Sequence, residues 1–65
     1  MGPITVYRGY KNGRYVARIH GADRDWCLRF KRWFHDNWYT SVSLRGAKAA
    51  WRRIDGPGTR WREKP

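Results

Sequence analysis

Residues 4–34 read ITVYRGYKNGRYVARIHGADRDWCLRFKRWF, and this stretch decides the fold. Three segments alternate in polarity and are rich in β-branched and aromatic residues, at 4–11, 14–20 and 26–34. Asn12-Gly13 joins the first two segments and is a strong hairpin signal, because both positions of a tight type I′ turn need positive φ. The polar segment 21–25 joins the second and third. The sequence therefore predicts three antiparallel strands in meander order.

A helix is predicted after the strands. Apolar side chains recur at spacings of three and four residues, at Leu44, Ala47, Ala50, Trp51 and Ile54. Candidate N-caps precede them at Thr40, Ser41 and Ser43, and Gly56-Pro57 is typical of a helix end. The predicted fold class is α+β, a three-stranded antiparallel sheet in the order β-β-β-α with one C-terminal helix packed on one face. Residues 1–58 are predicted to form this domain, and 59–65 a basic, flexible tail.

Alternation along the strands divides their side chains between two faces. The face that the helix is expected to cover carries Tyr15, Ala17, Ile19, Leu28 and Phe30. The other face carries Arg14, Arg18, Arg29 and Lys31. A bare, arginine-lined sheet of this size has the width and charge to enter a DNA major groove.

Charge narrows the choice of partner. The 65 residues hold 15 Lys and Arg against 5 Asp and Glu, a net charge of +10. The planar fork of arginine suits phosphate oxygens and guanine edges. Nucleic acid is therefore the first expectation, and a membrane surface and an acidic protein are the rivals.

Several classes of protein and site are not expected. Cys27 is the only cysteine, so no internal disulfide is predicted and a reducing cytoplasm is the default location. Cys27, His20 and His35 do not have the spacing of a zinc site. The chain offers no paired carboxylates and no nucleophile beside a base, so we predict no enzyme, no metal and no cofactor. No apolar run is long enough to span a membrane, and no membrane partner is predicted.

Four short motifs resemble the AP2/ERF DNA-binding domain, in particular its bacterial and phage branch, which occurs alone or beside homing endonucleases and integrases. They are Tyr7-Arg8-Gly9 and the segments 14–19, 32–36 and 47–50. The resemblance covers residues 4–55. It implies a sheet laid in the major groove, with nucleic-acid contacts from Arg8, Lys11, Arg14, Arg18, Arg29, Lys31 and Trp33. Arg18 stands where plant members have an acidic residue, and Phe30-Lys31-Arg32 replaces their Trp-Leu-Gly, so the plant target sequence cannot be transferred.

Two functions from different classes are carried forward. The first is a monomeric module, encoded by a phage or mobile element, that binds double-stranded DNA in the bacterial cytoplasm. The second is a small phage-encoded protein that binds and inhibits a host protein, because exposed Trp and Arg are typical of interface hot spots. Binding of single-stranded nucleic acid is a third interpretation. The sequence leaves open the target site and whether binding is sequence-specific.

Overall fold

The computed structural model describes residues 3–65, in which five strands and one helix form an α+β fold. Met1 and Gly2 of the predicted domain 1–58 lie outside the described residues. The elements are β1 (Thr5–Lys11), β2 (Arg14–Ala22), β3 (Asp25–Arg32), β4 (His35–Ser41), α1 (Leu44–Asp55) and β5 (Arg60–Glu63).

The sheet is wider than predicted. All neighbouring strands are antiparallel, in the order β4-β3-β2-β1-β5, so the prediction of a three-stranded sheet is wrong although the class α+β is correct. The segment after Phe34, for which no strand was predicted, forms β4. The segment predicted to be a flexible tail forms β5, and it extends the sheet beside β1.

Two hairpin turns share an unusual backbone geometry. Asn12 and Gly13 have φ of 53° and 76°, as the hairpin signal predicted. Trp33 and Phe34 join β3 to β4 and also have positive φ, at 55° and 64°. Residues with bulky side chains seldom adopt this conformation, and turns are usually recognised by Gly, Asn or Asp. The Trp33-Phe34 sequence of the β3–β4 hairpin therefore gives no turn signal.

A β-bulge changes which side chains share a face in the first hairpin. Gly9 pairs with Ala17, but Tyr10 pairs with Tyr15, so Val16 is the extra residue in β2. The Tyr10 and Tyr15 rings lie 5.9 Å apart, as expected for neighbours on one face. The bulge reverses the alternation, so Tyr15 lies on the face away from the helix and Val16 packs against the core.

The helix follows the sequence prediction closely. Ser43 is the N-cap, and its hydroxyl accepts a hydrogen bond from the Gly46 amide at 3.0 Å. Gly56 ends the helix with φ of 82°, and its amide donates to the Arg52 carbonyl at 2.8 Å. The small and aromatic residues of the predicted apolar stripe, Ala47, Ala50 and Trp51, are buried.

The core lies between α1 and one face of the central strands. Ile19 and Leu28 are fully buried register partners on β2 and β3. Phe30 packs against Trp51, with ring centroids 5.1 Å apart. The indole Nε1 of Trp51 donates to the Thr59 hydroxyl at 2.8 Å, which fixes the chain just before β5.

A single carboxylate connects the helix end to both hairpins. Asp55 accepts a hydrogen bond from Lys11 Nζ on its side-chain oxygen at 3.1 Å, and its carbonyl accepts another at 2.9 Å. Arg32 reaches the same carboxylate at 3.6 Å. An acidic residue at a helix C-terminus is unfavourable for the helix dipole, so its value here lies in holding the two hairpins.

Candidate nucleic-acid interface

The sheet face opposite α1 is uncovered, and we call it the open face. Register and alternation place on it Val6, Arg8, Tyr10, Tyr15, Arg18, His20, Ala22, Asp25, Cys27, Arg29, Lys31, Asp36, Trp38, Thr40, Arg60 and Arg62. Because β5 adds to the edge of the sheet, it widens the open face and leaves it uncovered.

One line of side chains crosses the open face over all five strands. Arg62 of β5 pairs with Arg8 of β1, which pairs with Arg18 of β2. Arg18 pairs with Arg29 of β3, which pairs with Trp38 of β4. Neighbouring strands lie about 4.8 Å apart, so this line, which we call the arginine row, is about 19 Å long.

No carboxylate neutralises the arginine row. Within residues 3–65, both ion pairs are made by Asp55 on the helix side of the sheet. Lys31 and Arg60 add two further cations to the open face, and its carboxylates among residues 3–65 are Asp36, opposite Lys31, and Asp25, at the far end of β3. Like charges directly opposite each other on neighbouring strands are destabilising. The row therefore lowers the stability of the free fold, and a bound polyanion would relieve the repulsion.

His20 reports on the electrostatic environment of the open face. Burial lowers the pKa of His20, and the positive charges of Arg18 and Arg29 lower the pKa further, while Asp25 acts in the opposite direction. Its Nδ1 is buried and has no hydrogen-bond partner within residues 3–65. Its imidazole is therefore neutral at neutral pH, and the open face owes its charge to arginine and lysine.

Four of the sequence-predicted site residues lie together. Arg8, Arg18 and Arg29 occupy adjacent positions in the arginine row, and Lys31 is on the same face two residues beyond Arg29. Arg8 and Arg29 are exposed, while Arg18 is half-buried between them. The alternation of β1, β2 and β3 thus gathers these side chains from separate parts of the chain.

The other three predicted site residues lie elsewhere. Lys11 is on the helix side, held by Asp55. Arg14 is the register partner of Lys11, so the prediction that it lies on the open face is wrong, because the bulge at Val16 reverses the alternation. Trp33 is in the β3–β4 turn and not on a sheet face, because β3 ends at Arg32.

Three residues of the open face were not among the predicted nucleic-acid contacts. Arg60 and Arg62 flank Trp61 in β5, and the alternation Arg-Trp-Arg is the signal that could have identified them. Trp38 begins the run Trp38-Tyr39-Thr40, whose aromatic and β-branched residues favour a strand. Its side chain is 67% exposed at the end of the arginine row.

A cleft opens where the two hairpins diverge. Pairing between β2 and β3 runs from the β2–β3 turn as far as Arg18 and Arg29. Beyond these residues, toward the β1–β2 and β3–β4 turns, the two strands separate. The resulting cleft has a volume of about 350 Å³, and Tyr15, Phe30 and Lys31 are among its lining residues. The cleft places an aromatic ring between cationic groups, next to the middle of the arginine row.

No protein-family model, no curated protein and no solved structure matches this chain. Across residues 3–65, no helix has both the length and the apolar character needed to cross a membrane. The same residues contain no cluster of three His, Cys, Asp or Glu side chains that could hold a metal ion. Function is therefore inferred from the geometry and charge of the open face.

Proposed function

We propose that this protein is a small DNA-binding module that lays its open face against double-stranded DNA. The observation that carries the proposal is the arginine row, in which Arg62, Arg8, Arg18 and Arg29 stand side by side with no carboxylate partner. A one-sided basic surface of this kind is the electrostatic footprint of nucleic-acid binding.

The dimensions of the row suit a major groove. Arg8 and Arg29 are separated by two strand spacings, about 10 Å, and the groove of B-DNA is about 12 Å wide. The central strands β1, β2 and β3 therefore fit between the two phosphate backbones. The outer strands then lie over the backbones, so that Arg60 and Arg62 reach phosphates on one side and Trp38 contacts the sugar on the other.

Different arginines of the row are suited to two kinds of contact, phosphate contacts that supply affinity and base contacts that recognise sequence. Phosphate contacts supply most of the affinity in protein–DNA complexes and carry little sequence information. Arginine side chains that point into the groove can donate two hydrogen bonds to a guanine edge. Arg18, at the centre of the row, is best placed to reach bases, while Arg62 at the edge is best placed to reach phosphate.

The proposal includes the AP2/ERF-like assignment of residues 4–55 and, with it, a phage or mobile-element origin and a place in the bacterial cytoplasm. Its support is the arrangement of β1, β2 and β3, which carry basic side chains on one face and the helix on the other. The strands β4 and β5 are additions at the two edges that the resemblance did not imply.

The salt dependence of binding tests the proposal. If four to six phosphates are neutralised, the slope of log K against log salt concentration should be about −3.6 to −5.4. The double variant Arg8→Ala/Arg29→Ala should reduce this slope by about 1.8. Arg45→Ala/Arg53→Ala removes the same charge from exposed positions on the helix and is the matched control. A flat salt dependence, or an equal change of slope in the control, would contradict duplex binding by the open face.

Inhibition of a host protein is the second candidate function. Trp33 and Phe34 are 83% and 102% exposed at the β3–β4 turn, and exposed aromatic side chains are typical hot-spot residues of protein interfaces. Affinity capture from a bacterial host lysate treated with nuclease separates the two functions. A stoichiometric protein partner that survives nuclease supports inhibition, and loss of all captured material supports DNA binding.

A further inference from the structure

The turn between β3 and β4 exposes two aromatic rings side by side. Trp33 is 83% exposed and Phe34 is 102% exposed, so neither ring contributes to the core. Large aromatic side chains normally supply much of the burial in a domain of this size. We call Trp33 and Phe34 the aromatic tip, and their exposure requires an explanation other than folding.

The backbone of the aromatic tip makes its residues more unexpected. Both have left-handed φ, at 55° and 64°, which β-carbon-bearing residues adopt at a cost. At the β1–β2 turn the same backbone conformation is adopted by Asn12-Gly13, at φ of 53° and 76°, and these residue types tolerate it. Strained conformations of this kind cluster at functional sites. The turn is therefore less stable than one formed by Asn-Gly, and its residues expose two aromatic rings to solvent.

The position of the tip indicates its partner. Trp33 lies one residue beyond the end of β3 and four residues after Arg29, about 13 Å away if the chain is counted as extended. That distance corresponds to about four base-pair steps for DNA running along the strand. Lys31 lies on the open face between Arg29 and the tip, with Asp36 as its register partner, and Arg32 is held by Asp55 on the helix side. A duplex seated on the arginine row and running along the strands therefore continues past the tip, and the unpaired guanidinium groups of the row, rather than the charges beside the tip, favour DNA as its partner.

Stacking is the chemistry that exposed rings offer to DNA. An aromatic side chain that stacks on a base improves affinity by roughly 5- to 140-fold. Insertion into an intact duplex must first separate stacked base pairs, which offsets most of that gain. At a bulge, gap or mismatch the bases are already unstacked, and the gain is retained.

We propose that the aromatic tip inserts where bases are unstacked, so that the protein prefers duplexes with unpaired nucleotides to uniform duplexes. This inference rests on the proposed function. It adds a substrate class to the module: DNA with a local interruption, placed about four base pairs from the guanidinium of Arg29. Apart from the tip, the arginine row binds both kinds of DNA alike.

The turn of the first hairpin supplies the test. Trp33→Asn/Phe34→Gly installs the residues that the protein already uses at Asn12-Gly13, so the variant should fold and melt at a higher temperature than wild type. Fluorescence anisotropy would measure the affinity of both proteins for a uniform duplex and for a matched duplex with a short bulge. Tyr39→Thr is the control, because it removes a 45% exposed ring from the same hairpin on the helix side.

The wild type should bind the bulged duplex about tenfold more tightly than the uniform duplex. The turn variant should lose this preference and keep its affinity for the uniform duplex, and Tyr39→Thr should keep both. Equal affinity of the wild type for the two DNAs, or an unchanged preference in the turn variant, overturns the inference and leaves duplex binding intact. Absence of binding to either DNA overturns the proposed function itself.

Discussion

Replacing Arg18 by Gln should make the free protein more stable and its DNA complex weaker. Arg18 is half-buried at the centre of the arginine row and has Arg8 and Arg29 as direct neighbours on either side. Glutamine keeps most of the side-chain length and its hydrogen-bonding capacity but removes the charge. Relief of repulsion stabilises the free protein whatever the row binds, so the weaker DNA complex is the effect that depends on contact between Arg18 and DNA.

The magnitudes follow from the register. A pair of like charges opposite each other on neighbouring strands costs a few tenths of a kcal/mol, and Arg18 makes two such pairs. After solvent screening, the gain in the free energy of unfolding should be about 0.5 kcal/mol, or about 3 °C in Tm for a domain of this size. Loss of the contact between Arg18 and a base edge should weaken binding at least about fivefold, because such a contact is worth about 1–3 kcal/mol.

Thermal unfolding at low and high salt, together with DNA titration, measures both effects. The stability gain should disappear in about 1 M salt, where the Debye length is about 3 Å. Arg45→Gln is the control, because it removes the same charge from an exposed position on the helix. The reasoning is refuted if Arg18→Gln lowers stability equally at both salt concentrations, or if the two variants weaken DNA binding to the same extent.

Three further predictions concern single residues. The pKa of His20 is lowered in the folded state, so the folded protein favours the neutral imidazole. The stability that this preference contributes should be complete above about pH 6.5 and should be lost as the pH falls toward the lowered pKa. Urea unfolding at several pH values measures the loss, and a free energy of unfolding that stayed constant would contradict it. Asp55→Asn should lower the free energy of unfolding by up to about 1 kcal/mol in thermal melts, because it weakens the contact with Lys11; no loss at low salt would argue against the ion pair. Gly9→Val should destabilise the fold by about 1–3 kcal/mol, because a Cβ at Gly9 would lie 2.8 Å from the Trp61 ring. The same change should expose the β5 amides to hydrogen exchange, and unchanged protection of these amides would show that the ring can move aside.

The sequence predicted the parts of the fold that have strong local signals. Asn12-Gly13 specified the first hairpin because positive φ favours those residue types. The helix was recognisable because its apolar stripe is regular and its ends carry Ser43 and Gly56, which complete the backbone hydrogen bonds at each end. The strands β1, β2 and β3 alternate clearly because one side of each faces the core.

The edge strands could not be predicted by the same reasoning. β4 is largely exposed on both faces, so it shows no hydrophobic alternation, and the turn before it uses Trp33-Phe34 in place of the usual turn residues. β5 has only four residues, and its pairing depends on the contact between Trp61 and Gly9, which are distant in sequence. Missing both strands gave a sheet of three strands where the protein has five.

The central residues of the arginine row were predicted from the sequence, and the residues at its edges were not. Arg18 and Arg29 were identified because alternation is regular where the strands are regular, and Arg8 was implied by the resemblance to the AP2/ERF domain. The position of Arg14 was wrong because a bulge depends on cross-strand pairing that one strand does not reveal. Arg62 was missed because it joins the row through β5.

NMR of the labelled protein with a DNA duplex tests the central claim most directly, since the arginine side-chain Nε–Hε signals can be followed individually. Contact through the open face predicts large shift changes for Arg8, Arg18, Arg29 and Arg62, and small changes for the helix residues Arg45, Arg52 and Arg53. Large changes confined to the helix arginines, with the row unchanged, would contradict the account.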